Sequence, residues 1–169
     1  MERRHPNVVN LDEVAPTHLA HGQRYALERR QLGAAAGGHA LGASHVTLPP
    51  GKRAWPLHWH ATNEEAIFVL EGAGELEIGD RVVPIRAGDY MAFKTGPGHA
   101  HRVTNTGDAP LRYLVVSTMN PTDIGVYPET NKIGVFSGSA PGGPVEARTL
   151  HAFLRRDATV GYWDGEPEE

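Results

Sequence analysis

The chain has no cysteine. Disulfides and thiolate metal ligands are therefore excluded, and the composition is compatible with a reducing compartment. No apolar stretch approaches the roughly 20 residues that a membrane-spanning helix needs, so no membrane partner is expected. The opening residues MERRHPNVVNLDEV lack the apolar centre of a signal peptide, and the expected location is cytoplasmic. Positive charge is not in excess: 16 Lys and Arg against 20 Asp and Glu give a net charge of -4, which argues against a nucleic-acid partner. Segments of helix length with a helical period are missing between the extended stretches, which argues against an α/β arrangement. What is plentiful is punctuation. The 20 glycines and 13 prolines are spread through 169 residues, the pattern of short strands joined by frequent turns, and that length makes one domain with its own core the default.

Gly51 to Gly72 carries the densest chemistry. Successive side chains on a strand point to opposite faces, so His58 and His60 share a face while Leu57 and Trp59 point the other way. Ala61-Thr62-Asn63 supply a short polar connection, and the apolar run from Glu65 to Leu70 predicts a second strand. A carboxylate at the start of that strand can face the imidazole pair across the turn, so one cation could take His58, His60 and Glu65 together. Glu64 competes for the carboxylate role, but strand parity turns it away and the spacing to Gly72 favours Glu65. Imidazole nitrogen with carboxylate oxygen suits Zn, Mn, Fe, Co or Ni rather than Ca or Mg. Further on, Gly88-Asp89 opens a strand over Tyr90 to Phe93, Lys94 to Gly98 is a Gly/Pro turn, and His99 to Asn105 alternates as another strand.

These residues resemble the two motifs of the cupin superfamily. The first, G-x(5,6)-H-x-H-x(3,4)-E-x6-G, is matched by Gly51, His58, His60, Glu65 and Gly72. The second, a Gly-Asp strand start followed by P-x-G-x2-H-x3-N, is matched by Gly88, Asp89, Gly98, His101 and Asn105. One departure is visible: Pro97 touches Gly98, and Gly96 stands where the family's proline falls. The resemblance implies an all-β double-stranded β-helix, a jelly-roll barrel, with His58, His60, Glu65 and His101 holding one divalent transition metal. It also implies a homodimer, since cupins commonly pair through their barrel faces. Tyr127 to Val135 and Asp157 to Glu166 are similar to phrases of small single-domain bacterial cupins.

Around the motifs, Gly79-Asp80 between Gly74 to Ile78 and Arg81 to Ile85 signals a hairpin, and Leu41 to Leu48 and Leu111 to Thr118 read as long strands. Residues 1-22 read as an N-terminal arm with a short strand at Asn7 to Leu11, 23-120 as the barrel, and 121-169 as an extension on the barrel or on a dimer partner. Ala34 to Gly38 reads as a flexible loop, Ser137 to Pro144 as a linker, and Phe153 and Trp163 as anchors for the tail. The mouth candidates are His99, Tyr90 and Arg53, with Lys94, Arg102 and Tyr113 beside them. Such a ligand set would leave an octahedral metal two open positions. The expectation is a small metalloenzyme acting on a small polar molecule, anionic or sugar-like, by isomerase, epimerase, lyase or dioxygenase chemistry. The alternatives are a binding or sensor barrel without turnover and, behind it, a storage barrel. No separate base, nucleophile or phosphate-cradling glycine loop names one reaction.

Overall fold

In the computed structural model, which describes residues 5-167, the alternation of apolar and polar side chains resolves into 13 strands. β1 (Thr17–His21), β2 (Tyr25–Gln31), β3 (Leu41–Leu48), β10 (Leu111–Thr118), β5 (Glu65–Glu71) and β8 (Tyr90–Phe93) form one sheet in that order. Facing it are β7 (Arg81–Arg86), β6 (Ala73–Ile78) and β9 (His101–Thr104), and a set ordered β13 (Leu150–Arg155), β12 (Lys132–Ser137), β11 (Asp123–Tyr127) and β4 (Trp59–His60). All these neighbours run antiparallel. The chain entering β4 stitches the two smaller sets together, because His58 bridges to His101 and His60 pairs with Gly125. The architecture is the all-β jelly roll that the sequence predicts.

Period-two burial fills the interior. Leu27, Val46, Leu48, Ile67, Val69, Leu76, Phe93, Val103, Leu111 and Tyr113 point inward from both layers and form one cluster. Val46, Leu48, Val69 and Leu111 are completely removed from solvent, and burial of such side chains stabilises by about 1.5-3 kcal/mol each. On β5 the inward face is Glu65, Ile67 and Val69, while Phe68 and Leu70 remain exposed outside. Gly72 ends that strand at φ +86, and a Cβ there would stand 2.7 Å from the Pro110 carbonyl oxygen. Glycine meets both demands without strain.

Several local expectations change. Asn7 to Leu11 forms no strand; Leu11–Glu13 is a 3-10 turn, because Asn10 caps it by accepting from Asp12 N while its own N–H donates to Glu13. Met1 to Arg4 of the proposed arm lie outside the described residues. The end of the arm is β1, which extends the large sheet through β2. Leu32–Ala35 is a single helical turn (α1) rather than loop. The segment from Ser137 to Pro144 is no free linker: Ser139 and Ala140 are 7% and 3% exposed, and the segment roofs the barrel mouth. Its Gly138, at φ +87, comes so near the Ala147 carbonyl that a Cβ would sit 2.5 Å from that oxygen. Glycine there permits close packing, which composition alone does not separate from flexibility. Phe153 rests against Phe136, His151 and Tyr127, whereas Trp163 is 75% exposed, its ring against that of Tyr162.

Candidate metal centre

Glu65 is placed by parity. It lies on the inward face of β5, paired with Ser117 on one side and Phe93 on the other. His58 and His60 approach it from the opposite layer, and His101 joins them as the first residue of β9. The Glu65 Oε2 atom lies 3.9 Å from His58 Nε2, 3.5 Å from His60 Nε2 and 3.2 Å from His101 Nε2. Ligand atoms of His58, His60 and Glu65 all fall within 4.8 Å of one another. The structure thus brings together all four residues singled out in the sequence.

The other ring nitrogen of each histidine is engaged. His58 Nδ1 donates to Pro56 O at 2.8 Å, His101 Nδ1 to His99 O at 3.0 Å, and His60 Nδ1 to Asp123 Oδ2 at 2.6 Å. With each Nδ1 engaged in donation, the Nε2 atoms are the ones left to face Glu65 and, when deprotonated, to take a metal. Such a donor set, nitrogen-rich with one carboxylate, fits a divalent transition metal. His101 is further held by Phe93, whose ring stacks on it at 3.8 Å between centroids and 8° between planes. Tyr127 lies against His58 at 5.9 Å and 19°.

The electrostatics favour a cation. Burial opposes ionisation of Glu65, but the hydrogen bond from His101, followed by the neighbouring His60 and His58, outweighs it and holds the carboxyl at about 2. Burial, then the neighbouring His101, pushes His58 down to about 4, so its imidazole is neutral near pH 7. Burial also opposes protonation of His60, yet the hydrogen bond to Asp123 raises it overall. Asp123 is 1% exposed and receives Thr62 N and Thr62 Oγ1 as well as His60; burial resists its ionisation, and these donors hold it well below the carboxylate range.

Asp123 is a site residue that the sequence reading misses. It stands 63 residues from His60 in the chain, beyond both motifs, and no spacing signals it. Asp123→Asn is expected to weaken divalent-metal affinity by about 10-100-fold, because the amide no longer fixes the His60 tautomer. Competition titration with a chromophoric chelator measures this; an unchanged affinity would remove Asp123 from the site.

The mouth candidates separate. His99 contributes its backbone carbonyl to His101, in a 3-10 turn opened by Pro97. Tyr90 is 68% exposed on the outer face of β8, since Met91 and Phe93 take the inner one. Arg53 is fixed by its backbone, bridging to Tyr25 and Thr104 at the rim, and Lys94 is exposed. Arg102 is 4% exposed and fully engaged, donating to Glu77 and to both oxygens of Glu129. Tyr113 alone of these is an inward group with a free polar atom: it is fully buried and its hydroxyl has no partner. Burial, reinforced by the Glu65 charge, keeps that phenol protonated, and Tyr127 is likewise pushed up by burial. Both are hydrogen-bond donors over the physiological range. The cluster opens into a cavity of about 1290 Å³ whose wall includes Trp55, Tyr113 and Tyr127 and whose roof is Gly138 to Arg148.

A family model described as the cupin domain matches residues 44-117, from β3 to β10. The oxalate-binding protein of Thermotoga maritima is 32% identical over 113 residues, which is 64% of this chain and 91% of that protein. The quercetin 2,3-dioxygenase of Bacillus subtilis is 33% identical over 121 residues, 63% of this chain but 35% of the dioxygenase. Among solved structures, a sugar phosphate isomerase from the cupin superfamily of Silicibacter pomeroyi superposes with a TM-score of 0.75 at 26% identity, covering 93% of this chain and 98% of that one. That superposition takes in the C-terminal strands beyond the family model, as well as the barrel that carries the histidine cluster. Motif, barrel and relatives agree, and the chain belongs to the cupin superfamily.

Proposed function

We propose that this cupin is a metal-dependent enzyme acting on a small polar molecule, anionic or sugar-like, with isomerase or epimerase chemistry first and lyase or dioxygenase chemistry behind it. The observation that carries the reading is the convergence of the His58, His60 and His101 Nε2 atoms on the Glu65 carboxylate at the wall of a cavity. These residues would hold one divalent Zn, Mn, Fe, Ni or Co ion. Bound there, such an ion would polarise a substrate carbonyl or hydroxyl oxygen. Tyr113 and Tyr127 present neutral donors to a substrate oxygen, and the roof from Ser139 to Pro144 limits water access from the mouth. His151 also lines the cavity, stacked on Phe136 at 5.1 Å. The solved sugar phosphate isomerase that matches nearly the full chain supports isomerisation as the first reaction to test.

Elemental analysis of protein purified without a metal-affinity tag, beside His101→Ala, tests the metal. Near-stoichiometric metal in the wild type, lost in the variant, is expected. Metal-loaded protein incubated with aldoses, ketoses and their phosphates in D2O should then wash deuterium into the carbon next to the carbonyl, read by proton NMR. Oxygen uptake instead would move the reaction to dioxygenation. A metal-loaded protein that binds such molecules and leaves them unchanged would favour the second reading, a binding barrel, which the oxalate-binding relative supports.

A further inference from the structure

Arg29 is a half-buried arginine whose Nε atom the fold leaves buried and without a partner. On β2 it shares the inner face with Leu27, a core residue, and with Gln31. Its rung across the sheet is Arg29, Val46, Tyr113 and Val69, and the last three are completely buried. The Nε atom is buried and has no hydrogen-bond partner, and no charged group among the described residues compensates the desolvation that lowers its pKa. Its neighbour Arg30, facing outward, is by contrast engaged by Glu28 and the Val14 carbonyl.

Two further observations say what this charge faces. Arg29 lines the same cavity as the histidine cluster, and so does Tyr113, whose buried hydroxyl is equally unpartnered. Tyr113 and the Ser117 opposite Glu65 both lie on the inner side of β10, about 13 Å of strand apart. The Arg29 Nε and the Tyr113 hydroxyl, each buried without a partner, therefore belong to residues that line the same cavity as the histidine cluster. A guanidinium with a buried, unpaired Nε carries a desolvation cost, and the group that fits its planar fork is an oxyanion.

We propose that Arg29 and Tyr113 form an anion subsite, and that the molecule this cupin takes carries a terminal carboxylate or phosphate a few carbon atoms from the oxygens that meet the metal centre. This rests on the metalloenzyme reading and narrows its substrate class to compounds with two distinct polar ends. The anion end is bound by Arg29, with Tyr113 donating a second hydrogen bond. Arg148 at the mouth also has an unpartnered Nε, but the rest of its guanidinium is occupied within the chain, donating to the Pro141 carbonyl and lying over Phe136 at 5.1 Å.

Calorimetric titration of the full chain, with metal content measured on each sample, tests the subsite. Glycerate, malate and 3-phosphoglycerate share a 2-hydroxy-acid end and differ at carbon 3, which bears a hydroxyl, a carboxylate or a phosphate. Wild-type protein is expected to bind malate or 3-phosphoglycerate on the order of thirtyfold more tightly than glycerate, and whichever is tighter names the anion. Arg29→Met should abolish that preference while leaving glycerate affinity and metal content unchanged, and Tyr113→Phe should reduce it severalfold. With no ligand present, Arg29→Met should melt at the wild-type temperature or above it, since a partly desolvated charge with no partner has been removed. No preference for the charged probes in the wild type, its survival in Arg29→Met, or a variant weakened equally for all three probes and melting lower would overturn the proposal. Preference that depends on Arg29 in protein that takes up no metal would uphold the subsite and overturn the metal reading instead.

Discussion

Chelator treatment of the metal-loaded protein is expected to lower its thermal midpoint by about 8-16 °C. Linkage sets the size: an ion held at about a thousand times its dissociation constant stabilises the native state by roughly 4 kcal/mol, and a chain of this length shifts by about 2-4 °C per kcal/mol. The site can deliver that because its ligands are already convergent in the folded chain and separated in the unfolded one. Glu65 comes from β5, His60 from β4 and His101 from β9, and an ion across them ties both layers of the barrel together. Removing His101 should abolish the shift; because His101 is buried and stacked on Phe93, the metal-free variant should also melt lower, so the quantity to compare is the chelator-induced shift within each protein. Scanning calorimetry with and without chelator, then after adding back Zn, Mn, Fe, Co or Ni singly, makes the measurement. Identical melting in every arm would mean that the cluster binds no ion of consequence.

How far the sequence reveals this site depends on whether the relevant geometry is local. His58, His60 and Glu65 are readable because a period of two and a short turn fix their relation, and burial on β5 follows the same parity. His101 is farther away and enters through motif spacing; its physical partner, the His58 backbone 2.9 Å away, is a long-range bridge that no local pattern reveals. Asp123 and the roof over the mouth belong to the chain beyond Met119, where β11 pairs with β4 on one side and with β12 on the other. Nothing in that segment's composition says which way it folds back. Arg29 is a different case. Parity with Leu27 places it inward, but within Glu28-Arg29-Arg30 a charge reads as solvated, and only the completed sheet shows which of the arginines lacks a partner.

The motif's terminal asparagine shows how a conspicuous residue can serve the fold rather than the chemistry. Asn105→Ala is expected to destabilise the chain by about 3-5 kcal/mol, or roughly 6-20 °C in thermal midpoint. Asn105 is completely buried; its Nδ2 donates to Leu48 O at 2.8 Å and to Ala109 O at 2.9 Å, and its Oδ1 accepts from Gly107 N at 3.0 Å. One side chain thus satisfies three backbone groups where the end of β3 meets the turn between β9 and β10, and each group left unpaired costs about 1-3 kcal/mol. Asn105→Asp separates hydrogen bonding from shape. It keeps the volume and the acceptor for Gly107, but sets a carboxylate oxygen against the Leu48 and Ala109 carbonyls, so it should be at least as destabilising as alanine. Urea unfolding with an unchanged m-value reads both losses. If the aspartate variant were as stable as wild type, the donor contacts would carry no weight and the role of Asn105 would have to lie in the space it fills.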